Sequence, residues 1–232
     1  MSIVYLIPCP LSEEATETIP AYVIEHLKDV KIIFAEQIRT ARRFLKSMDK
    51  SIVIDEFEWF EIGKAEQEQK NNFIQALHSN RNIAIISEAG CPGVADPGQE
   101  LIAIAQEKKH TIKPLVGPSS ILLALMASGM NGQQFEFCGY LPIDNVERLK
   151  KIKELEAQSI KHNSTKIFIE TPYRNNQLFD ALISSCNNNT KICVAQQITS
   201  PNENITTLTI DEWKVKKPSL HKIPVIFLLQ GY

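Results

Sequence analysis

Short apolar runs rich in β-branched residues alternate with longer segments of helical periodicity in the first half of the chain. The short runs are typical of buried strands, and the longer segments favour helices. The predicted strands are Ile3–Ile7, Lys31–Ala35, Ile52–Ile54, Ile83–Ser87 and Thr111–Val116. The predicted helices are Glu13–Leu27, Ile38–Met48, Lys64–His78 and Gly98–Lys109. Alternation of this kind predicts right-handed crossovers and a parallel sheet covered by helices on both faces.

The pattern changes in the second half, where the last strands follow one another with only turns between them. Helices are predicted at Ser119–Ser128, Val146–Lys161 and Arg174–Ser185. The predicted strands are Phe135–Cys138, Lys166–Glu170, Lys191–Gln196, Ile205–Ile210 and Val225–Leu229. Because no helix separates the last three strands, we expect an antiparallel or mixed sheet. The predicted fold class is α/β with two domains, residues 1–114 and residues 115–232.

Composition excludes several classes of protein. The chain has 232 residues, of which 44% are hydrophobic and 22% charged, so it is globular rather than disordered. Its longest apolar run, residues 121–130, is far shorter than the roughly 18–20 residues that cross a bilayer. The N-terminal MSIVYLIPCP has no charged region or cleavage site of a secretory signal, so we expect a cytoplasmic protein without membrane contact. Five scattered cysteines without a CxxC pair and five isolated histidines predict no metal site.

The net charge of −2 argues against an indiscriminate nucleic-acid binder, which is usually strongly basic. The charge is uneven: residues 1–114 carry 13 basic and 17 acidic groups, and residues 115–232 carry 12 and 10. This asymmetry permits a basic face on the second half. Four basic residues also share one predicted helix, where they form either a solvated face or an RNA contact: Arg39, Arg42, Arg43 and Lys46.

A glycine-rich junction follows the predicted strand that ends at Ser87. Its three glycines allow unusual backbone conformations and close approach to a ligand. Asp96 is expected to be the N-cap of the next helix, with Pro97 at its first position. Glu88 lies just past the strand, where open parallel sheets bind ligands and where a carboxylate can bind a ribose hydroxyl. The junction is either a ligand site or a capped turn that binds nothing.

Two similar junctions lie further along the chain. Ser119 can cap a helix whose free amides suit a carboxylate or phosphate. Thr171 is predicted as an N-cap before Pro172, with Glu170 and Arg174 forming a polar cluster or an exposed helix start. No GxGxxG, GxxxxGK[ST] or GxSxG motif occurs, so a Rossmann dinucleotide site, a P-loop and a hydrolase elbow are not supported.

Together these junctions resemble the tetrapyrrole methylase superfamily, and within it the branch that 2′-O-methylates a cytidine of small-subunit ribosomal RNA. The family segment SDAGTPxxSDPG is similar to SEAGCPGVADPG, residues 87–98. The family's PLPGPSA, GFLP and FYESPHR are similar to PLVGPSS, GYLP and FIETPYR, which begin at residues 114, 139 and 168. Near the start, AEDTR is similar to AEQIR, residues 35–39. The matches run in order over most of the chain.

The resemblance implies two α/β domains with S-adenosylmethionine in the cleft between them, usually in a homodimer. The residues it places at the cofactor are Pro8, Ser87, Glu88, Ala89, Gly90, Val94, Asp96, Ser119, Ser120, Tyr140, Thr171, Pro172 and Ala195. The residues it places at an RNA substrate are Arg39, Glu170 and Arg174. Because the cofactor carries its own electrophilic methyl group, the protein mainly aligns a nucleophile and excludes water.

The methyl acceptor and the base stay open at this point. A ribose 2′-hydroxyl is a poor nucleophile until its proton is removed, and the candidate bases are Glu36, Glu88 and Glu170. The family's TPIGN and RELTK segments correspond to PCPLS and QQITS here, which changes the polar chemistry where a substrate is recognised. The alternatives to RNA methylation are methylation of a tetrapyrrole or another small molecule, and a non-catalytic relative that binds a nucleotide-like ligand.

Overall fold

The computed structural model describes residues 2–63 and 66–232. The chain forms two compact units, of which the first ends at Ser119 and the second begins at Ser120. Each unit is built on a five-stranded sheet within the described residues. The α/β fold class predicted from the sequence is confirmed.

The sheet of the first unit is parallel throughout, with strand order β3-β2-β4-β1-β5. Its strands are β1 (Ile3–Ile7), β2 (Val30–Ala35), β3 (Glu58–Glu61), β4 (Asn82–Ile86) and β5 (Thr111–Pro114). Its helices are α1 (Tyr22–Leu27), α2 (Ile38–Met48), α3 (Glu66–His78) and α4 (Gln99–Glu107). Alternate residues of β2 point to opposite faces, so Ile33 packs in one apolar core and Phe34 in another. The predicted parallel sheet with two covered faces is confirmed.

Two predicted elements of this unit are wrong. The helix predicted over Glu13–Leu27 is a 3₁₀ turn (Thr16–Thr18) followed by the short α1, because Pro20 cannot donate a backbone hydrogen bond and keeps Ile19 extended. The strand predicted at Ile52–Ile54 is also wrong. The edge strand lies at Glu58–Glu61, which pairs with β2 and has only two apolar residues, Trp59 and Phe60, between glutamates.

The predicted helix Lys64–His78 begins with two residues, 64 and 65, that lie outside the described residues; its remainder is α3.

The second unit has a mixed sheet with strand order β6-β7-β10-β8-β9. Its strands are β6 (Phe135–Tyr140), β7 (Thr165–Ile169), β8 (Lys191–Gln196), β9 (Asn204–Thr209) and β10 (Val225–Gln230). Its helices are α5 (Ser120–Ser128), α6 (Asn145–His162), α7 (Asn175–Ser185) and α8 (Ile210–Val215). β6 and β7 are parallel, whereas β10 runs antiparallel to both β7 and β8. The expectation of a mixed sheet is confirmed.

The expectation that no helix follows α7 is wrong, because α8 lies between β9 and β10. The side chain of Thr209 accepts a hydrogen bond from the Glu212 amide, and the Glu212 carboxylate accepts one from the Thr209 amide. This reciprocal capping box starts the helix and buries Trp213 in the core. In the part of the chain that the structure describes, no helix has the length and apolar character needed to span a membrane.

Candidate functional site

Polar loops of the first unit follow the carboxyl ends of β1, β2, β4 and β5, which lie at one edge of the parallel sheet. The loops after β1 and β4 are joined by two backbone hydrogen bonds: the Cys9 amide donates to the Gly90 carbonyl at 2.9 Å, and the Gly90 amide donates to the Cys9 carbonyl at 3.0 Å. Gly90 has a φ of +76°, which side-chain-bearing residues rarely adopt. The glycine is therefore required by the turn that brings the two loops together.

Cys9 is a packing residue and not a nucleophile. Burial, together with the nearby Glu36 carboxylate, raises the pKa of the Cys9 thiol to about 12. The thiol therefore stays protonated at neutral pH, and only the thiolate is strongly nucleophilic. Cys9 is thus a small apolar residue in a rigid turn.

The loop after β5 packs directly on the loop after β1. A Cβ atom on Gly117 would lie 2.1 Å from the Pro8 Cβ, so only glycine fits there. The Cys91 thiol, in the loop after β4, donates to the Pro118 carbonyl at 3.4 Å. The loops after β1, β4 and β5 are thus in contact with one another, and Pro8 of the first loop packs against Gly117 of the third.

The three candidate bases have different surroundings, and two of them lie in this unit. The Glu36 carboxylate accepts a hydrogen bond from the Glu88 amide at 2.9 Å, which ties the loop after β2 to the loop after β4. The Glu88 side chain is exposed and has no hydrogen bond or ion pair within residues 2–63 and 66–232. Ser87 is buried, and its hydroxyl donates to the Ala89 carbonyl at 3.3 Å. Only Glu88 of the two acids is free to meet a ligand.

The assignment of Asp96 as an N-cap is wrong. α4 begins at Gln99 with Gly98 as its N-cap, and Pro97 precedes the helix. The Asp96 carboxylate instead accepts hydrogen bonds from the Gly93 amide at 2.8 Å and the Gly98 amide at 2.7 Å. Ala95 at φ +60° turns the chain, so Asp96 faces back into the loop and closes it. Burial raises the pKa of Asp96, although the two amide hydrogen bonds oppose the shift.

The four basic residues of α2 are all exposed on one side of that helix. Arg43 forms an ion pair with Glu13, and the Arg42 guanidinium lies 5.2 Å from the centre of the Trp59 ring. Arg39 has no hydrogen bond or ion pair to any residue that the structure describes. A cavity of about 640 Å³ lies beside this helix, and its lining includes Cys9, Leu11, Gln37, Arg43, Glu88 and Ala89. The charged groups that line this cavity are Glu88, Glu13 and Arg43, of which the last two form an ion pair.

The second unit has its own cluster of strand-end residues. Tyr140 of β6 pairs with Ile169 of β7, and Ile226 of β10 pairs with both Ile169 and Ala195 of β8. This register places Tyr140, the turn after Ile169 and Ala195 at one edge of the mixed sheet. The predicted site residues Tyr140, Glu170, Thr171, Pro172, Arg174 and Ala195 are thus brought together within this unit.

Glu170 and Arg174 form the central ion pair of this edge. The Glu170 carboxylate is buried and accepts hydrogen bonds from Arg174 Nη2 and from the Thr171 amide, both at 2.6 Å. Burial alone would raise the pKa of Glu170, but the Arg174 guanidinium and the Thr171 amide outweigh burial and hold the pKa below its ordinary value. The carboxylate is therefore ionised and occupied, which leaves Arg174 as the partly exposed member of the pair.

The predicted N-cap at Thr171 is wrong. α7 begins at Asn175 with Arg174 as its N-cap, and no side chain caps it. A turn from Thr171 to Arg174, closed by a 2.9 Å hydrogen bond between their backbones, separates the strand from the helix. The ion pair spans this turn, so the N-cap lies three residues after the predicted Thr171, while the helix begins one residue after the predicted Arg174.

A segment that the sequence did not single out joins the loops at this edge. The Lys222 amide donates to the Pro172 carbonyl at 2.9 Å, and the Gln197 amide donates to the Pro224 carbonyl at 3.0 Å. Among the described residues, buried polar atoms without a partner include Arg174 Nε, Asn175 Oδ1 and Thr199 Oγ1. Each of these atoms therefore keeps a hydrogen-bonding capacity that no described residue satisfies. Gln197, Thr199 and Lys222 all have positive φ values; the first two lie in the QQITS segment noted in the sequence, whereas no sequence motif marks Lys222.

Comparison with known proteins identifies the family of the chain. A family described as Tetrapyrrole (Corrin/Porphyrin) Methylases matches residues 4–214. The chain belongs to this family. The Ribosomal RNA small subunit methyltransferase I of Bacillus subtilis (strain 168) is 33% identical to this tetrapyrrole methylase over 212 residues, which cover 91% of this chain and 69% of the relative. The protein of the same name from Vibrio cholerae serotype O1 is 26% identical over 99% of this chain and 77% of its own.

Solved structures share the fold. The Uroporphyrin-III C-methyl transferase from Thermus thermophilus complexed with S-adenyl homocysteine has a TM-score of 0.58 at 12% identity, covering 99% of this chain and 97% of its own. The methyltransferase CobJ has a TM-score of 0.65 at 15% identity, covering 100% and 95%. Family membership confirms the resemblance, and with it the expected enzyme class, an S-adenosylmethionine-dependent methyltransferase.

Within the part of the chain that is described, no group of three metal-ligating side chains is assembled.

Proposed function

We propose that this protein transfers a methyl group from S-adenosylmethionine to a ribose 2′-hydroxyl of ribosomal RNA. The observation that carries the proposal is the 33% identity, over 91% of the chain, to a protein named Ribosomal RNA small subunit methyltransferase I. The strand-end motifs that resemble that branch lie at the carboxyl edges of both sheets, where α/β folds bind ligands.

We propose cofactor-binding roles for residues of each unit. In the first unit the exposed backbone of Glu88, Ala89 and Val94 faces the ligand, while Asp96 keeps the loop closed. Ser119 and Ser120 begin α5, where hydroxyls and free amides suit the carboxylate of a methionine group. In the second unit Tyr140, Thr171, Pro172 and Ala195 lie along the sheet edge beside the unpartnered polar atoms. The remaining residues of the set, Pro8, Ser87 and Gly90, hold the first-unit loops in place.

Bound S-adenosylmethionine supplies a methyl group already activated on a sulfonium centre. The protein holds the acceptor oxygen in line and removes its proton. We propose Glu88 for that proton, because Glu36 binds a backbone amide and Glu170 is held by Arg174 and Thr171. Arg39, exposed and unpaired in the described chain, and Arg174, partly exposed, contact phosphates of the RNA. Glu170 then acts on the substrate through Arg174, whose position it fixes.

We also propose that the protein works in the cytoplasm as a homodimer, as the resemblance implies. Light scattering coupled to size-exclusion chromatography measures the mass of the particle. A mass near twice that of the chain supports the dimer, and the mass of a single chain contradicts it.

The decisive experiment is methyl transfer from labelled S-adenosylmethionine to a small-subunit ribosomal RNA transcript. Nuclease digestion followed by mass spectrometry then locates the methyl group on a ribose or a base. A large-subunit transcript and a reduced tetrapyrrole are the comparison substrates. We expect label in a ribose of the small-subunit transcript. Label in the tetrapyrrole alone would establish the small-molecule alternative, and S-adenosylhomocysteine binding without transfer to any of them would favour a non-catalytic relative.

A further inference from the structure

Tyr173 is an exposed aromatic residue at the edge of the second unit's sheet, where its ring lies next to a histidine and a lysine. Its side chain is 68% exposed, although it lies in the turn between β7 and α7. The ring meets the His221 ring edge-on at 6.2 Å between centroids, and the Lys222 Nζ lies 6.0 Å from the Tyr173 ring centre. We call Tyr173, His221 and Lys222 the Tyr173 surface.

The backbone beneath this surface is fixed by hydrogen bonds. The Lys222 amide donates to the Pro172 carbonyl at 2.9 Å, and the Asn175 side-chain amide donates to the Ile223 carbonyl at 2.6 Å. The Leu220 amide donates to Asn176 Oδ1 at 2.9 Å. The aromatic ring and the two basic side chains are therefore attached to backbone segments that hydrogen bonds hold in place, which lowers the entropy cost of binding a ligand there.

The segment that leads to this surface carries basic residues and no acidic ones. Residues 213–224 contain no acid and carry Lys214, Lys216, Lys217, His221 and Lys222. Lys217 forms an ion pair with Asp180 of α7 at 2.6 Å, and Leu220 contacts Asn176 near the start of that helix. The segment therefore runs along α7 from its middle towards its first residues. Lys216 is exposed and unpaired among the described residues. The acid nearest in sequence to Tyr173, Glu170, is neutralised by Arg174.

An exposed aromatic ring next to a lysine matches the chemistry of single-stranded nucleic acid, whose bases stack on rings and whose phosphates attract Lys and Arg. We propose that the Tyr173 surface binds an unpaired RNA segment next to the methylated nucleotide. Tyr173 stacks on a base, and Lys222 neutralises a phosphate. The inference rests on the proposed function and adds the place and the single-stranded state of the RNA.

The second unit provides a matched control at the opposite end of its sheet. Tyr232 is 59% exposed, and the Lys191 Nζ lies 5.0 Å from the centre of the Tyr232 ring. Tyr232 follows the end of β10 and Lys191 begins β8, whereas the Tyr173 surface lies where β10 begins and β7 ends. The two sites share an exposed tyrosine ring and a lysine, but only the Tyr173 surface lies at the end of the sheet that carries Tyr140 and Ala195.

The experiment measures the affinity of the full chain for a labelled single-stranded RNA oligonucleotide, and for a duplex of the same sequence, by fluorescence anisotropy. We expect Tyr173→Ala to weaken single-strand binding about tenfold, since stacking is worth roughly fivefold to a hundredfold in affinity per base. Tyr173→Phe keeps the ring and should bind like the wild type, as should Tyr232→Ala. Lys222→Gln should lower the slope of log K against log salt by about 0.7.

Each outcome decides a different point. Wild-type binding that Tyr173→Ala leaves unchanged, or that Tyr232→Ala weakens equally, overturns the inference. Calorimetry with S-adenosylhomocysteine distinguishes an effect on cofactor binding from an effect on RNA binding. If Tyr173→Ala loses affinity for S-adenosylhomocysteine but keeps its affinity for RNA, the ring belongs to the adenosyl pocket and the inference is overturned. If the wild type binds S-adenosylhomocysteine but no RNA, the proposed function itself fails.

Discussion

Glu36, Glu88 and Glu170 follow strands in the same way in the sequence, yet their surroundings give them different chemistry. Glu36 receives a backbone amide from a neighbouring loop, and Glu170 is buried under an arginine. Glu88 alone of the three is exposed and unengaged within the described chain. A carboxylate can act as a base only if its oxygen reaches the proton it removes, so we assign that role to Glu88.

Glu88→Gln should lower kcat for RNA methylation about a hundredfold, since a positioned base contributes roughly 10²–10⁴. The affinity for S-adenosylhomocysteine should stay near that of the wild type, because the backbone of the loop is unchanged. Single-turnover kinetics and calorimetry measure the two quantities separately. Glu170→Asp is the comparison variant, since it keeps a carboxylate beside Arg174. Full activity of Glu88→Gln would exclude the assignment.

Glu170→Gln should destabilise the fold by about 1–3 kcal/mol at pH 7, because the partly exposed Arg174 guanidinium then bonds to a neutral group instead of a charged one. The pKa of Glu170 is lower in the folded state than its ordinary value, so its stabilising contribution is complete above the unfolded-state value of about 4.3. That contribution is lost as the pH falls through the folded-state pKa. The difference between variant and wild type should therefore shrink in acid.

Urea unfolding at pH 7 and at decreasing pH measures this difference. Glu154→Gln is the control, since Glu154 forms an exposed pair with Lys151 at 3.2 Å that should contribute less than about 1 kcal/mol. A Glu170→Gln variant as stable as the control at pH 7 would contradict the prediction.

Secondary-structure elements begin and end in this protein where side chains close turns. Pro20 shortens the first predicted helix, Asp96 closes the loop before α4, and the Glu170–Arg174 pair precedes α7. The capping box of Thr209 and Glu212 starts α8 where only a turn was expected. These boundaries depend on a proline or on polar contacts of particular side chains, and not on the apolar period that predicts the body of a helix.

The contact between the loops after β1 and β5 gives a prediction about these elements. Gly117→Ala places a Cβ 2.1 Å from the Pro8 Cβ, so the two loops must separate. We expect a loss of about 1–3 kcal/mol in unfolding free energy, as for overpacked cores, and weaker binding of S-adenosylhomocysteine. Thermal unfolding and calorimetry measure both effects. Gly132→Ala, where a Cβ meets nothing within 4 Å, should change neither; equal behaviour of the two variants would refute the packing argument.

The whole molecule combines two sheets of different topology with an uneven charge. The first unit is a parallel sheet with helices on both faces, and the second unit contains a mixed sheet. In the second unit, the segment before the last strand carries basic residues and no acidic ones. The net charge of −2 conceals this segment, so composition alone gives no reason to expect an RNA-binding surface. Charge that is local, and placed beside an exposed ring, is what attracts a phosphate backbone.

By itself, the sequence determined the α/β class, the parallel and mixed sheets, the family and the loops that carry its motifs. Apolar periodicity and glycine-rich turns are local properties, and residues a few positions apart reveal them. Tertiary structure alone decided which of the three glutamates is free, why Gly117 must be glycine, and that Lys222 and His221 meet Tyr173. Those contacts join residues 48 to 109 positions apart, and strand register, which depends on the packing of the complete sheet, brings them together.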